Sequence, residues 1–486
     1  MFKKSYKLIS VITATLVCFL CLPLLACNSQ SKSTTYQIDC KLDGHTLTAT
    51  EKVSFFNYTD NVFSELKFNL FGNAFRDEAK YRPISTQYEY KAYFNGRSHG
   101  DMQINKVYGQ SDLEYSVGGE DYNILTVKLD KEVFPNERAE ITIEYTLNLA
   151  NVISRTGVNK KTINLGNFYP ILCGITNGAF YECVYYSSGD PFYSDVADYT
   201  VKLEYNKDYV VASSGKAVSH TEKESSFITE YQMQNARSFA MVLSKDFQSV
   251  KENVNGVEVN YYYYEDETPD KSLKIAVESL KYFSEKFGTY PYSTYSVVQT
   301  AFIQGGMEYS GLTFISDEEK GSSYLEVIVH ETAHQWWQTA VGNNEIEYGF
   351  LDEGLCEYSV IAFYESHPDY GMNRADMVEQ AVKSIKAYCT VYDKLFKEVN
   401  TSMVRSLKDF TSEYEYVNVA YLMPCVMYDG LRKTVGEEKF FDGLRKYYKD
   451  YKFKNATPDD LIASFIKVGA DAEGYLNSFF YGKAII

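Results

Sequence analysis

His330-Glu331-Thr332-Ala333-His334 places two of the chain's 6 histidines in one pentapeptide. On a helix, residues four apart share a face, so both imidazoles can aim a ring nitrogen at one ion. Glu331 is rotated by about 100° from His330 around such a helix, which sets its carboxylate beside the ion and within reach of a water. A metal site that performs chemistry uses three protein ligands and leaves a fourth position open. The third ligand should come from another element, and Glu353, in Leu351-Asp352-Glu353-Gly354, meets that need. The 18 residues 335–352 accommodate a helix end, a reversal and the start of a second helix. The chemistry this permits is hydrolysis assisted by one Zn2+ ion, with His330, His334 and Glu353 as ligands and Glu331 as general base. Acid is expected to inactivate such a site, because both imidazoles must be neutral to bind metal.

These residues need a scaffold, and the hydrophobic pattern divides it in two. Segments 42–56, 124–129, 139–149, 199–211 and 226–233 alternate apolar and polar residues, as strands with one buried face do. Turn residues punctuate them, as in Gly118-Gly119 and Ser213-Ser214-Gly215. After a strand-like run at 257–264 the period changes. Thr268-Pro269-Asp270 opens a helix to about 287, and helices are expected near 322–340, 352–366, 373–388, 417–434, 437–450 and 458–467. Short strands at 296–300 and 312–315 precede the first of these six. Strands first and helices second favour an α+β chain of two domains. Residues 37–248 would form an antiparallel β sandwich or saddle and 249–486 a mainly helical catalytic domain.

The metal motif, His-Glu-x-x-His followed after 18 residues by Glu, is the one carried by aminopeptidase-N-like gluzincin metallopeptidases. The chain resembles that family from about 287 to 465. Gly305-Gly306-Met307-Glu308-Tyr309 is similar to the family's Gly-Ala-Met-Glu-Asn substrate strand, with Gly306 for Ala and Tyr309 for the final Asn. Asn167-Phe168-Tyr169-Pro170 and Gly189-Asp190-Pro191-Phe192-Tyr193 are similar to segments of bacterial members. The resemblance implies a thermolysin-like catalytic domain. It implies that Glu308 binds the free α-amine of a peptide while the backbone at Gly305 and Gly306 aligns the chain. A fixed carboxylate one residue from the scissile bond selects an ammonium and enforces removal of single N-terminal residues. It further implies a tyrosine that donates to the oxyanion. Tyr421 is the assignment, with Tyr414 and Tyr416 as competitors, because Leu422-Met423-Pro424 departs from the family's pattern. Members with strong exopeptidase action add a second acidic or amide residue from the β domain, for which Glu182 is the candidate. The family's large C-terminal helical domain is expected to be absent, leaving an open site.

Several neighbours of the motif take structural readings. Cys356 is expected to be a core thiol, since a fourth ligand would close the site. Trp336 and Trp337 would pack the metal helix into the core, and Glu357 could orient a histidine.

A formal charge of -17 argues against nucleic acid as a partner. Lys3, Lys4 and Lys7 precede an uncharged apolar run ending in Leu24-Leu25-Ala26-Cys27, the pattern of a lipoprotein signal peptide over 1–26 with a lipid on Cys27. Residues 27–36 then read as a tether. The expected location is extracytoplasmic, on a membrane through that lipid, and the expected partners are peptides with a free N-terminus. Of the 9 cysteines, Cys173 and Cys183 are the nearest candidates for a disulfide. The rival readings are a zinc endopeptidase, an epoxide hydrolase of the same fold, and a peptide-binding surface lipoprotein with a non-catalytic zinc. Glu331 speaks against the last, since a structural site needs no base.

Overall fold

A computed structural model describes residues 32–484. The expected signal peptide, the expected lipid site Cys27 and the first part of the expected tether lie outside the described residues. Within these, residues 33–484 belong to one compact unit. The first strand starts at Thr34, inside the segment read as a tether.

Alternation builds the strand-rich half directly. In Thr34–Asp43 the side chains of Tyr36, Ile38, Cys40 and Leu42 are buried and those between them exposed. Gly44, at φ +59°, turns the chain there and splits the expected 42–56 run into Thr34–Asp43 and Thr46–Phe56. Seven strands follow the spatial order Lys216–Glu222, Ser226–Ala236, Ala197–Asn206, Thr34–Asp43, Thr46–Phe56, Arg138–Asn148, Asp101–Tyr108. The sheet is mixed rather than purely antiparallel: Thr34–Asp43 pairs in parallel with Ala197–Asn206. Two four-stranded sheets and a two-stranded one complete this half among the described residues.

Behind the large sheet, Glu51 is fully buried and neither carboxylate oxygen has a hydrogen-bond partner. It stands among Tyr36, Tyr145, Tyr169 and Tyr199. Burial pushes its pKa well above the usual carboxylate value. The folded state therefore holds this proton more tightly than the unfolded chain does, and the stability it contributes is lost as pH rises above about 4. Glu51→Met is expected to stabilise the protein by about 1–3 kcal/mol at pH 8 and by less at pH 4.5. Denaturant unfolding at the two pH values checks this; equal effects would contradict a neutralised carboxyl.

The helical half starts with α1 (Pro269–Lys286) and continues with α2 (Gly321–Ala333), α3 (Phe350–Ser366), α4 (Arg374–Phe396), α5 (Met423–Val435), α6 (Glu437–Tyr451), α7 (Pro458–Lys467) and α8 (Glu473–Phe480). A five-stranded sheet packs against them, ordered Gln248–Val254, Val257–Tyr263, Thr294–Thr300, Leu312–Ser316, Gly306–Tyr309. The strand with Glu308 is thus an edge strand. Two helices differ from expectation. The one expected over 322–340 ends at Ala333, because Trp336 and Trp337 turn inward and bond Gly288 O and Ser359 Oγ at 2.7 and 3.0 Å. The one expected over 417–434 opens with a π-helical turn at Val417–Leu422, then passes into α5 at Pro424, which has no N–H to offer Ala420. No helix among the described residues is long and apolar enough to cross a membrane.

Candidate metal centre and active site

Helix α2 buries Leu325, Ile328, Val329, Thr332 and Ala333 against its surroundings. That leaves His330 and His334 on the remaining stripe, and His334 caps the helix C-terminus. Gln335 clasps the end of α2 to the substrate-type strand: its Nε2 donates to Tyr309 O at 3.1 Å and its Oε1 accepts from Gly311 N at 2.8 Å. Glu353 sits in the first turn of α3, where a helix favours negative charge. Gly354 lets α5 approach closely, since a Cβ there would stand 2.2 Å from Pro424 Cβ. That approach carries Tyr421 over the site.

His330 Nε2 and His334 Nε2 are 3.0 Å apart, and each is 3.3 Å from Glu353 Oε2. His334 Nδ1 is 3.0 Å from Trp337 O, which only accepts, so the proton resides on Nδ1 and the Nε2 lone pair is free. His330 Nδ1 lies 3.0 Å from Glu357 Oε1, a close pairing although poorly aligned for a hydrogen bond. Two ring nitrogens and one carboxylate oxygen converge on one point. A tetrahedral zinc site with bonds of 2.0–2.2 Å has ligand–ligand edges of about 3.4 Å, so the donor set and its spacing fit one Zn2+. Against burial, which alone would raise it, the two imidazoles hold the Glu353 carboxyl well below the carboxylate range. Burial pulls His330 down, but Glu353 and Glu357 override it and lift the ring to about 10.

Glu331 is buried, and its Oε2 has no partner. Burial lifts its carboxyl to about 7, while both imidazoles pull the other way. A Cβ at Gly306 would stand 2.3 Å from Glu331 Oε1, so the glycine found where the resemblance has alanine is the space this carboxylate occupies. Gly305 has room for a side chain, with Val327 at 3.4 Å. Glu308, 3% exposed with Oε1 unpartnered, places a carboxylate oxygen within 4.8 Å of ligand atoms of both Glu331 and His334. Burial pushes its pKa well up. Tyr309, on the opposite face of the strand, donates to Asn167 Oδ1 at 3.0 Å.

The Tyr421 hydroxyl makes a short hydrogen bond to Glu353 Oε1, and its ring stacks on His330 with centroids 6.1 Å apart. Tyr416 packs edge-on behind Tyr421, and Tyr414 is 47% exposed. Glu182 is away from the site, paired with Lys67 at 2.6 Å. The strand-rich half contributes Asp190 instead, bound by Arg155, whose Nε lies 3.0 Å from Met307 Sδ. Sequence reasoning also passed over Glu345 and Asp352, both buried, with ligand atoms within 4.8 Å of Glu308. Their one signal was acidic residues in a segment that had to be buried between α2 and α3. Cys356 is a buried thiol 3.8 Å from Trp337 O, and Cys173 and Cys183 are buried and unbridged.

Residues 271–480 match the Peptidase family M1 domain. Aminopeptidase RNPEPL1 of Mus musculus is 30% identical over 215 residues, covering 41% of this chain and 28% of that protein. Endoplasmic reticulum aminopeptidase 2 of Homo sapiens is 25% identical over 299 residues, covering 55% of this chain and 29% of that protein. The chain thus spans under a third of the length of these relatives. An M1 zinc metallopeptidase from Deinococcus radiodurans shares the fold with a TM-score of 0.66 at 16% identity, over 93% of this chain and 95% of that one. A mutant of the Deinococcus enzyme, bound to a Tyr-Ser-Ala substrate, superimposes with a TM-score of 0.66 at 15% identity, over the same 93% and 95%. With the donor triangle, the adjoining carboxylate and the edge strand in place, the half of the chain that holds the site carries the match to the Peptidase family M1 domain.

Proposed function

We propose that the protein is a zinc aminopeptidase that removes N-terminal residues from peptides outside the cytoplasm, anchored through a lipid on Cys27. The observation that carries the activity is Glu308, held between the base Glu331 and the ligand His334, with an unpartnered oxygen. A carboxylate at that distance from the hydrolytic centre reads a free amine next to the scissile bond. The leader pattern ending at Cys27 supports the location, and 37–248 is taken as the domain that covers the site.

His330, His334 and Glu353 would hold the ion, which when bound supplies Lewis-acid polarisation of a water and of the scissile carbonyl. Glu308 binds the substrate ammonium. The free edge of Gly306–Tyr309 pairs with the peptide backbone and sets its register. Glu331 accepts the proton of the attacking water through its unpartnered Oε2 and returns it to the leaving amine. The Tyr421 hydroxyl donates to the oxygen that gains charge.

Aminoacyl-naphthylamides are the test. Turnover is expected to vanish with a chelator, to return with Zn2+, and to be absent from N-acetylated substrates. Equal cleavage of free and acetylated substrates would point to an endopeptidase, and zinc binding without any turnover to a binding protein. Loss of membrane association in Cys27→Ser checks the anchor.

A further inference from the structure

The metal centre is less open than the resemblance implies. The side chains of His330, His334 and Glu353 are 12%, 1% and 5% exposed. Beside it runs a long excursion of the strand-rich half. The 24 residues 76–99 leave after Phe71–Phe75 and return where Gly100 N donates to Phe75 O at 3.0 Å. They hold one helical turn, Glu89–Ala92, and connections this long are uncommon and usually functional. Glu89 clips the excursion internally, with Arg97 Nη2 at 3.0 Å and Arg82 Nη1 at 3.6 Å from its Oε1. Ile153 N donates to Ala92 O at 2.9 Å and ties the turn to its own half.

Two contacts carry the excursion across to the helical half. Lys91 Nζ is 2.9 Å from Glu318 Oε2. Glu318 follows Leu312–Ser316, the partner of the edge strand, and Ser316 N donates to Gly305 O at 2.9 Å. The other contact is Gln87, which donates to Glu413 at the start of the turn Glu413–Tyr416 that leads into the π-helical turn bearing Tyr421. The edge strand borders Glu331 through Gly306, and Tyr421 bonds Glu353, so the two contacts flank the metal centre. Between them the Tyr88 hydroxyl stands beside Glu413 and within electrostatic reach of Glu318. Tyr88 and Ile303 pack against one apolar cluster that buries Ile84 and Ala92.

Glu308 holds the amine and Gly306 adjoins the base Glu331, so a bound peptide runs from Glu308 past Gly306, and its leaving part heads toward Ile303 and Glu318. We propose that residues 84–92 form a strap across that exit and restrict the protein to short peptides, with Gln87, Tyr88 and Lys91 setting the length limit. Ile303 is five positions from Glu308. At about 3.3 Å per residue, an extended peptide has room for roughly four or five residues before it meets the strap. A longer peptide must part Lys91 from Glu318 and Gln87 from Glu413. Both contacts are exposed, so they add little to the stability of the fold and open without disturbing it. This rests on Glu308 being the amine-binding residue.

Cleavage of Leu-Gly-Gly and of a ten-residue peptide with the same first three residues, by the zinc-loaded mature protein, tests it. The longer peptide is expected to show a kcat/KM about 10–100-fold lower. Lys91→Glu sets two acids against each other at the Glu318 contact; it should recover most of that difference and leave Leu-Gly-Gly within about twofold. Adding Glu318→Lys re-forms the pair with its charges exchanged and should bring the discrimination back, which a merely structural role would not do. Amide hydrogen exchange in 84–92 is expected to quicken in Lys91→Glu and to slow again in the exchanged pair. Equal kcat/KM for both peptides in the wild type overturns the strap while the aminopeptidase reading stands. So does a length preference that Lys91→Glu leaves unaltered, or a loss on both peptides that the exchange does not repair. Cleavage of neither peptide, with zinc bound, overturns the reading of Glu308 and the strap together.

Discussion

Glu331→Gln is expected to lower kcat by about 10²–10⁴-fold while zinc content stays at one ion per chain. The two parts of the expectation have separate causes. The amide is close in size to the carboxylate and keeps the side chain in the space above Gly306, so the triangle of His330, His334 and Glu353 is undisturbed. What is lost is the acceptor: Oε2 has no competing partner and is poised near 7 by burial, so it can take a proton and give it back near neutral pH. An amide does neither. Steady-state kinetics together with metal analysis decide the matter. A variant that lost its zinc would show that Glu331 supports the ligands, and one that kept its kcat would remove it from the proton path.

Tyr421→Phe is expected to lower kcat by about 10²–10³-fold with a much smaller change in KM, the signature of a donor used mainly in the transition state. The hydroxyl reaches the ligand set through Glu353 Oε1, and the ring is held between His330 and Tyr416. Phenylalanine keeps those ring contacts and removes only the donor. Tyr414→Phe should be close to wild type, since Tyr414 is half exposed, and Tyr416→Phe should act through packing alone. A larger loss in Tyr416→Phe than in Tyr421→Phe would transfer the donor role to Tyr416. Retained zinc in each variant keeps these outcomes comparable.

The clustering of His330, His334 and Glu353 beside Glu331 was legible because most of the information is local. Helical periodicity puts His330 and His334 on one face and Glu331 beside them whatever else the chain does. A short connection brings Glu353 back on the next helix. Strand alternation likewise marked the buried faces of 42–56 and 139–149, although it could not say that Thr34–Asp43 would pair in parallel with a strand that enters the sheet some 160 residues later. Register of that kind depends on which face is already covered.

Other parts of the site are decided by contacts between distant segments. Which of 45 tyrosines faces the metal depends on Gly354 admitting α5, a close approach that no periodicity encodes. The acidic neighbours of Glu308 were sought in the strand-rich half, yet Glu182 pairs with Lys67, while Glu345 arrives from the turn between α2 and α3 and Asp352 from the first turn of α3. That turn follows Gln338, whose backbone is held by Arg237 from the other half of the chain. The sequence by itself determined that His330, Glu331 and His334 share one helix and that Glu353 follows on the next, because spacing along a helix sets their directions. Only the tertiary structure decided which tyrosine reaches Glu353 and what surrounds Glu308, because burial by remote segments sets these contacts and leaves Glu308 Oε1 without water or a partner.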